Sequence, residues 1–234
     1  MTGDAGASAW VDEVRERWRA LGVLALLEDA VAAVWERNVA RHDPGVAGDT
    51  AMTLGITSSE NLRSRLLAAA GEWVDRGVAI RAPWNSLTLT HEQVVLHLMK
   101  APPRAGSSPD FATLRWEGEL RTAAAVENGW GYAPEGGQLA FEGLPAPRRA
   151  PDDEAGLRHV VLVWTGDPAT AVTTGRLAVP WQPPAEGPDD EGRWLAVLPV
   201  WSHGPGDVPA PPRVPAVSIP FGAVSPGGPP RRDT

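Results

Sequence analysis

Val78-Ala79-Ile80, then Leu87-Thr88-Leu89-Thr90, then Val94-Val95-Leu96-His97-Leu98-Met99 is the stretch that decides the fold. Apolar side chains recur there at every second position, the spacing of a strand with one face on a core. Three short antiparallel strands follow, linked around Trp84-Asn85 and His91-Glu92-Gln93. His97 falls between Val95 and Met99 on one strand face, where a partly buried, hydrogen-bonded histidine is the ordinary expectation.

Upstream the period lengthens. Leu62, Leu66, Ala69, Ala70 and Trp73 share one face of a helix over 57–76. Thr57-Ser58-Ser59-Glu60 has the form of a capping box that starts it, and Gly77 stops it. An earlier helical region, 8–43, carries Trp10, Val14, Trp18 and Leu21 on one face and resumes with Leu24, Leu27, Val31, Val34 and Trp35 after Gly22. Ser8 is its candidate N-cap, and His42-Asp43-Pro44 ends it, because a residue before proline avoids the α region.

Downstream, Phe111 to Leu114 reads as a short strand, and Glu117 to Glu127 as a helix stopped by Asn128-Gly129. Leu139 to Phe141 is a further candidate strand. His159-Val160-Val161-Leu162-Val163-Trp164 is a continuous apolar run, as expected of a central strand covered on both faces. Ala169 to Thr173 reads as one helical turn, with strands at Arg176–Val179 and Trp194–Val200. These elements predict an α+β protein: N-terminal helices on a mainly antiparallel sheet, in one domain over residues 1–203. Leu62, Leu66, Trp73, Leu87, Leu89, Leu96, Leu98, Val161 and Val163 are expected to share its core. Nine of the 24 prolines lie in 204–234, so that segment is expected to be a disordered tail.

Composition narrows the chemistry. The 234 residues carry a formal charge of −8 and no cysteine, which removes disulfides, thiolate zinc sites, cysteine nucleophiles and iron–sulfur clusters. The acidic balance makes nucleic acid an unlikely partner, and Arg15, Arg17 and Arg19 interleave with Glu13 and Glu16 as on a solvated helix face. No apolar run is long enough to span a membrane, and the N-terminus lacks a basic, apolar leader, so a cytoplasmic location is expected. His42-Asp43 with Asp49, His91-Glu92, His97, His159 and His203 are the candidate metal ligands. None has the spacing of a helical ligand pair, and neither a metal site nor a cofactor is expected. No G-x-S-x-G elbow, Walker loop or G-x-G-x-x-G occurs. The acidic loops 151–154 and 188–191 could pair carboxylates but read as solvated.

The element order helix, three strands, helix, strand over 57–164 resembles the core of the PD-(D/E)XK nuclease superfamily. That resemblance implies a Mg²⁺-dependent phosphodiesterase, in which an acidic residue on the second strand and an E-x-K on the third hold the metal. Lys100 sits at the end of the third strand, but Leu98 stands where the acidic residue belongs, and the nearest carboxylate is Glu92. Glu92 and Lys100 are therefore the candidate catalytic residues of that alternative. The leading expectation is a non-catalytic binding or regulatory component of a protein assembly. Its candidate docking segment lies in the tail, where Val217, Ile219, Phe221 and Val224 cluster among prolines that favour an extended chain.

Overall fold

The computed structural model describes residues 4–83, 86–101, 109–116, 118–134, 156–183 and 192–203. Four helices come first: α1 (Ala5–Ala20), α2 (Val23–Val39), α3 (Ala51–Ala68) and α4 (Ala70–Asp75). The strands β1 (Ala79–Arg81), β2 (Thr88–His91) and β3 (Val94–Lys100) follow, then α5 (Glu119–Gly131), β4 (His159–Gly166), β5 (Thr173–Trp181) and β6 (Arg193–His203). The strands form one sheet in the order β1-β2-β3-β4-β5-β6. All neighbours are antiparallel except the central β3–β4 pair, whose parallel pairing requires the long crossover that contains α5. The architecture is α+β, as the sequence predicts. Among the described residues no helix is long and apolar enough to cross a membrane.

Strand alternation divides the core. Leu96 pairs with Val160, Leu98 with Leu162 and Lys100 with Trp164 on the face covered by α1–α4. His97, Met99, Val161 and Val163 point the other way, and Phe111, Leu114, Trp116 and Trp194 gather around the last three. All eight residues of β4 are buried, as expected of a strand covered on both sides. The single core predicted for nine residues is therefore two: Val161 and Val163 lie across the sheet from Leu62, Leu66 and Trp73. A continuous apolar run hides which of its members face which way, so sequence alone could not divide them.

The helix expected over 57–76 differs at both ends. It starts at Ala51, where the Thr50 hydroxyl accepts from the Thr53 amide at 3.1 Å, and it breaks at Ala69 before the short α4. Thr57-Ser58-Ser59-Glu60 lies inside the helix. Ser58 is fully buried there and accepts a hydrogen bond from Asn38 Nδ2 at 3.1 Å, while Ser59 donates to the Gly55 carbonyl. Leu54, Ser58, Leu62 and Leu66 form one buried stripe, and the helix extends about two turns upstream of the apparent cap at Thr57. Asp4, and not Ser8, caps α1 by accepting from the Ala7 amide at 2.8 Å. Gly22 separates α1 from α2 with a left-handed φ of 71°.

Phe111 to Leu114 is a turn instead of a strand, because Asp110 accepts from the Ala112 and Leu114 amides. It still serves packing, since the Leu114 carbonyl accepts from Trp194 Nε1 at 2.8 Å. Residues 168–170 are a turn and 171–172 irregular, in place of the expected helical turn, and Asp167 accepts from the Ala169 amide there. Strands β5 and β6 extend beyond both predicted spans. Gly166, at the end of β4, leaves room for the buried Trp35 indole, which would overlap any Cβ at that position. Leu139 to Phe141, the acidic loops and the tail with Val217, Ile219, Phe221 and Val224 lie outside the described residues.

Candidate binding cleft at His97, Glu127 and His159

On the α5 side of the sheet, the β3–β4 register sets Val95 opposite His159 and so makes His97 the diagonal neighbour of His159. Both rings are buried, 5.2 Å apart between centroids and tilted by 42°. His97 Nε2 lies 3.0 Å from His159 Nδ1, and His159 Nε2 lies 2.7 Å from a carboxylate oxygen of Glu127 on α5. The carboxylate only accepts, so His159 carries its proton on Nε2. With a single proton on that ring, Nδ1 is a lone pair and His97 Nε2 donates to it. This order leaves Nδ1 of His97 as a bare acceptor, buried and without a hydrogen-bond partner among the described residues.

Burial, with smaller contributions from His159 and Arg121, pushes His97 down to about 3. The three side chains therefore form a hydrogen-bonded chain from an uncharged His97 through His159 to Glu127. An imidazole held near 3, as His97 is, is poorly matched to general acid–base work at neutral pH, which needs a pKa near the operating pH.

Asn128, next to Glu127 and fully buried, fixes the backbone under the site. Its Nδ2 donates to the carbonyls of His159 at 2.9 Å and Pro180 at 2.8 Å. Its Oδ1 accepts from the amides of Arg158 and His159, each at 3.0 Å. The side chain thus acts as a peptide-like bridge from α5 to β4 and β5. Gly129 permits the same close approach, because a Cβ there would collide with the Gln182 carbonyl, and the Gln182 amide donates to the Ala125 carbonyl at 3.0 Å. Asn128-Gly129, expected to stop the helix, instead lies within α5 and docks it on the sheet.

Because β1 and β2 extend past α5, a cleft of about 600 Å³ opens between them. Leu120, Ala123 and Ala124 form one wall, Arg81 and Thr88 stand opposite, and the histidine pair and Glu127 supply further polar groups.

The residues singled out by sequence fall elsewhere. Glu92 occupies the β2–β3 turn with a φ of 52°, and its carboxylate pairs with Arg17 at 2.7 Å. Lys100 ends the same strand eight residues on, on the order of 26 Å away at the rise of an extended chain. The structure does not bring the two together around a shared metal. Among the described residues no three histidine or acidic side chains form a group able to hold a metal ion. His42 lies 3.7 Å from Asp49, and His91 Nδ1 lies 3.0 Å from the Gly77 carbonyl, an end-of-helix contact.

Lys100 has its own surroundings on the helix-covered face. Its ammonium lies 5.1 and 5.4 Å from the ring centres of Trp35 and Trp164, and among the described residues no carboxylate pairs with it. Burial lowers it to about 8. The unfolded chain, with an ordinary lysine near 10.5, then holds one more proton between pH 8 and 10.5, so stability should rise with pH across that window. The upper bound is about 3 kcal/mol, reduced by the attraction of the two indoles for the cation. Lys100→Met should therefore be about 1 to 3 kcal/mol more stable at neutral pH, with that advantage shrinking toward pH 10.5. Urea unfolding of both proteins at the two pH values checks this, and an equal or less stable variant at neutral pH contradicts it.

The sequence presents His97 and His159 as separate candidate metal ligands, with His97 expected as a partly buried, hydrogen-bonded strand residue, and Glu127 as the end of a helix; the burial and hydrogen bond of His97 agree, but its partner is not legible. Their meeting depends on the β3–β4 register and on the docking of α5, neither of which a local pattern carries. Compared with known protein families, curated proteins and solved structures, the chain matches none.

Proposed function

We propose that this chain acts by binding, as a non-catalytic regulatory component of a cytoplasmic protein assembly, with the cleft beside His97 and His159 as its ligand recess. The observation that carries this reading is the hydrogen-bonded His97–His159–Glu127 chain on a cleft of about 600 Å³. The size lies in the usual range of small-ligand sites, and the mixture of apolar walls with a few fixed polar groups is typical of them. His97 held near 3 favours hydrogen-bond recognition over proton transfer. The separation of Glu92 from Lys100 removes the geometric support for the phosphodiesterase alternative.

Ala123 is an exposed position on the cleft wall, so Ala123→Trp should fill the cleft without disturbing the core. Ligand-observed NMR with a fragment library should give binders to the native chain that Ala123→Trp loses. Absence of binders, or binders indifferent to the substitution, contradicts the proposal. Nuclease and phosphodiesterase assays with Mg²⁺ or Mn²⁺ should be blank. Activity removed by Glu92→Ala or Lys100→Ala with the fold intact by circular dichroism would overturn the binding reading.

A further inference from the structure

Across the sheet from the cleft, α2 and α3 face each other with two matched pairs of side chains. Arg37 and the following Arg41 lie four residues apart along and just beyond α2, and Asn61 and Arg65 lie four apart on α3. Spacing of four places each pair on one side of its helix. Together with Asn38 and two small apolar residues they line a recess of about 210 Å³ that no carboxylate enters.

The charge balance there is unusual for this chain. Acidic residues outnumber basic ones by 29 to 21, and Arg15, Arg17 and Arg19 on α1 all have carboxylate partners. Arg37, Arg41 and Arg65 have no ion-pair partner among the described residues. Three guanidinium groups around one recess repel each other unless an anion joins them, and like charges four apart on a helix are destabilising. A chain of hydrogen bonds that runs from the surface into the core holds the recess in shape: Asn61 Nδ2 donates to Asn38 Oδ1 at 2.9 Å, and the buried Asn38 Nδ2 donates to Ser58 at 3.1 Å. This chain fixes the spacing of the helices that carry the arginines.

We infer that the recess between α2 and α3 binds the phosphoryl group of a small molecule, with Arg37, Arg41 and Arg65 as its ligands. The planar guanidinium fork suits two oxygens of a phosphoryl group at once, and such charge-assisted hydrogen bonds are about twice as strong as neutral ones. The recess has the volume of about seven waters, room for a phosphoryl group and the first atoms of what it is esterified to. A small recess on a chain of net charge −8 favours a small dianion over a nucleic-acid strand.

Isothermal titration calorimetry of the full chain at constant ionic strength, with inorganic phosphate and with glycerol 3-phosphate, tests the inference. One saturable site is expected for at least one of them. Tighter binding of the ester would identify a phosphorylated metabolite, and equal or tighter binding of phosphate would identify the free ion; either supports the site. Arg65→Gln and Arg37→Gln should each weaken binding about tenfold with unchanged melting. Arg19→Gln, outside the recess, should leave it unchanged. No saturable binding, or binding that survives Arg65→Gln, overturns the inference. Tighter binding of a single-stranded oligonucleotide lost in the same variants would overturn it in favour of nucleic acid.

Discussion

Asn128→Leu should cost about 4 kcal/mol or more of folding stability, because it strands four buried backbone groups at about 1 kcal/mol or more each. Those groups are the amides of Arg158 and His159 and the carbonyls of His159 and Pro180. Leucine matches asparagine in branching and heavy-atom count but is bulkier, so lost hydrogen bonds with some overpacking, and not a cavity, should make up the change. Against a typical total of about 5 to 15 kcal/mol, the variant should sit near the edge of unfolding. Asn128→Asp should also be severely destabilised, since it keeps the acceptor toward the two amides but sets an oxygen against two carbonyls. Asn61→Ala, at an exposed position with one hydrogen bond to Asn38, should lose about 1 kcal/mol or less. Urea unfolding of the three variants makes the comparison, and a loss below about 1 kcal/mol for Asn128→Leu would show that the bridge does not hold α5 to the sheet.

The second large effect is acid destabilisation through His97. Its native value is pushed down to about 3, while in the unfolded chain it returns to the ordinary 6.5. Between these values the unfolded state binds a proton that the native state excludes, so stability is complete above pH 6.5 and falls as the pH drops toward 3. The loss from this one group approaches about 4 to 5 kcal/mol at the lower end. His97→Gln removes the titration while keeping a side-chain N–H for His159. It should be less stable than the native chain at neutral pH and should close that gap as the pH falls. A gap that stays constant from pH 7 to 4 would place the acid sensitivity elsewhere.

Both effects trace to the Glu127-Asn128-Gly129 segment and to the strands beneath it. The elements themselves were legible because their signals are local: period two over 78–99, an apolar run at 159–164, an apolar helical stripe through Leu62, Leu66 and Trp73. The errors arose where a local signal served a distant contact. Asn128-Gly129 looks like a helix terminus because asparagine and glycine suit left-handed turns, yet here the amide replaces strand partners and the missing Cβ admits Gln182. Thr57-Ser58-Ser59-Glu60 looks like a cap, yet Ser58 bonds to a neighbouring helix. The candidate site was illegible for the same reason: His97 and His159 are 62 residues apart and meet through a parallel register. The three arginines without an ion-pair partner among the described residues were hidden likewise, since pairing with carboxylates is decided by how α2 and α3 dock.

Histidine-selective ¹⁵N NMR across about pH 7.5 to 4, where an ordinary imidazole near 6.5 would titrate, tests most directly whether the cleft carries an uncharged, oriented His97. His97 should show the Nε2–H tautomer at neutral pH and should remain uncharged throughout the range, while His159 should carry a proton on Nε2 toward Glu127. Glu127→Gln should disturb the tautomer signature of His159 before that of His97. A His97 resonance that titrates near the ordinary value, or that carries its proton on Nδ1, would contradict the arrangement on which the proposed binding role rests.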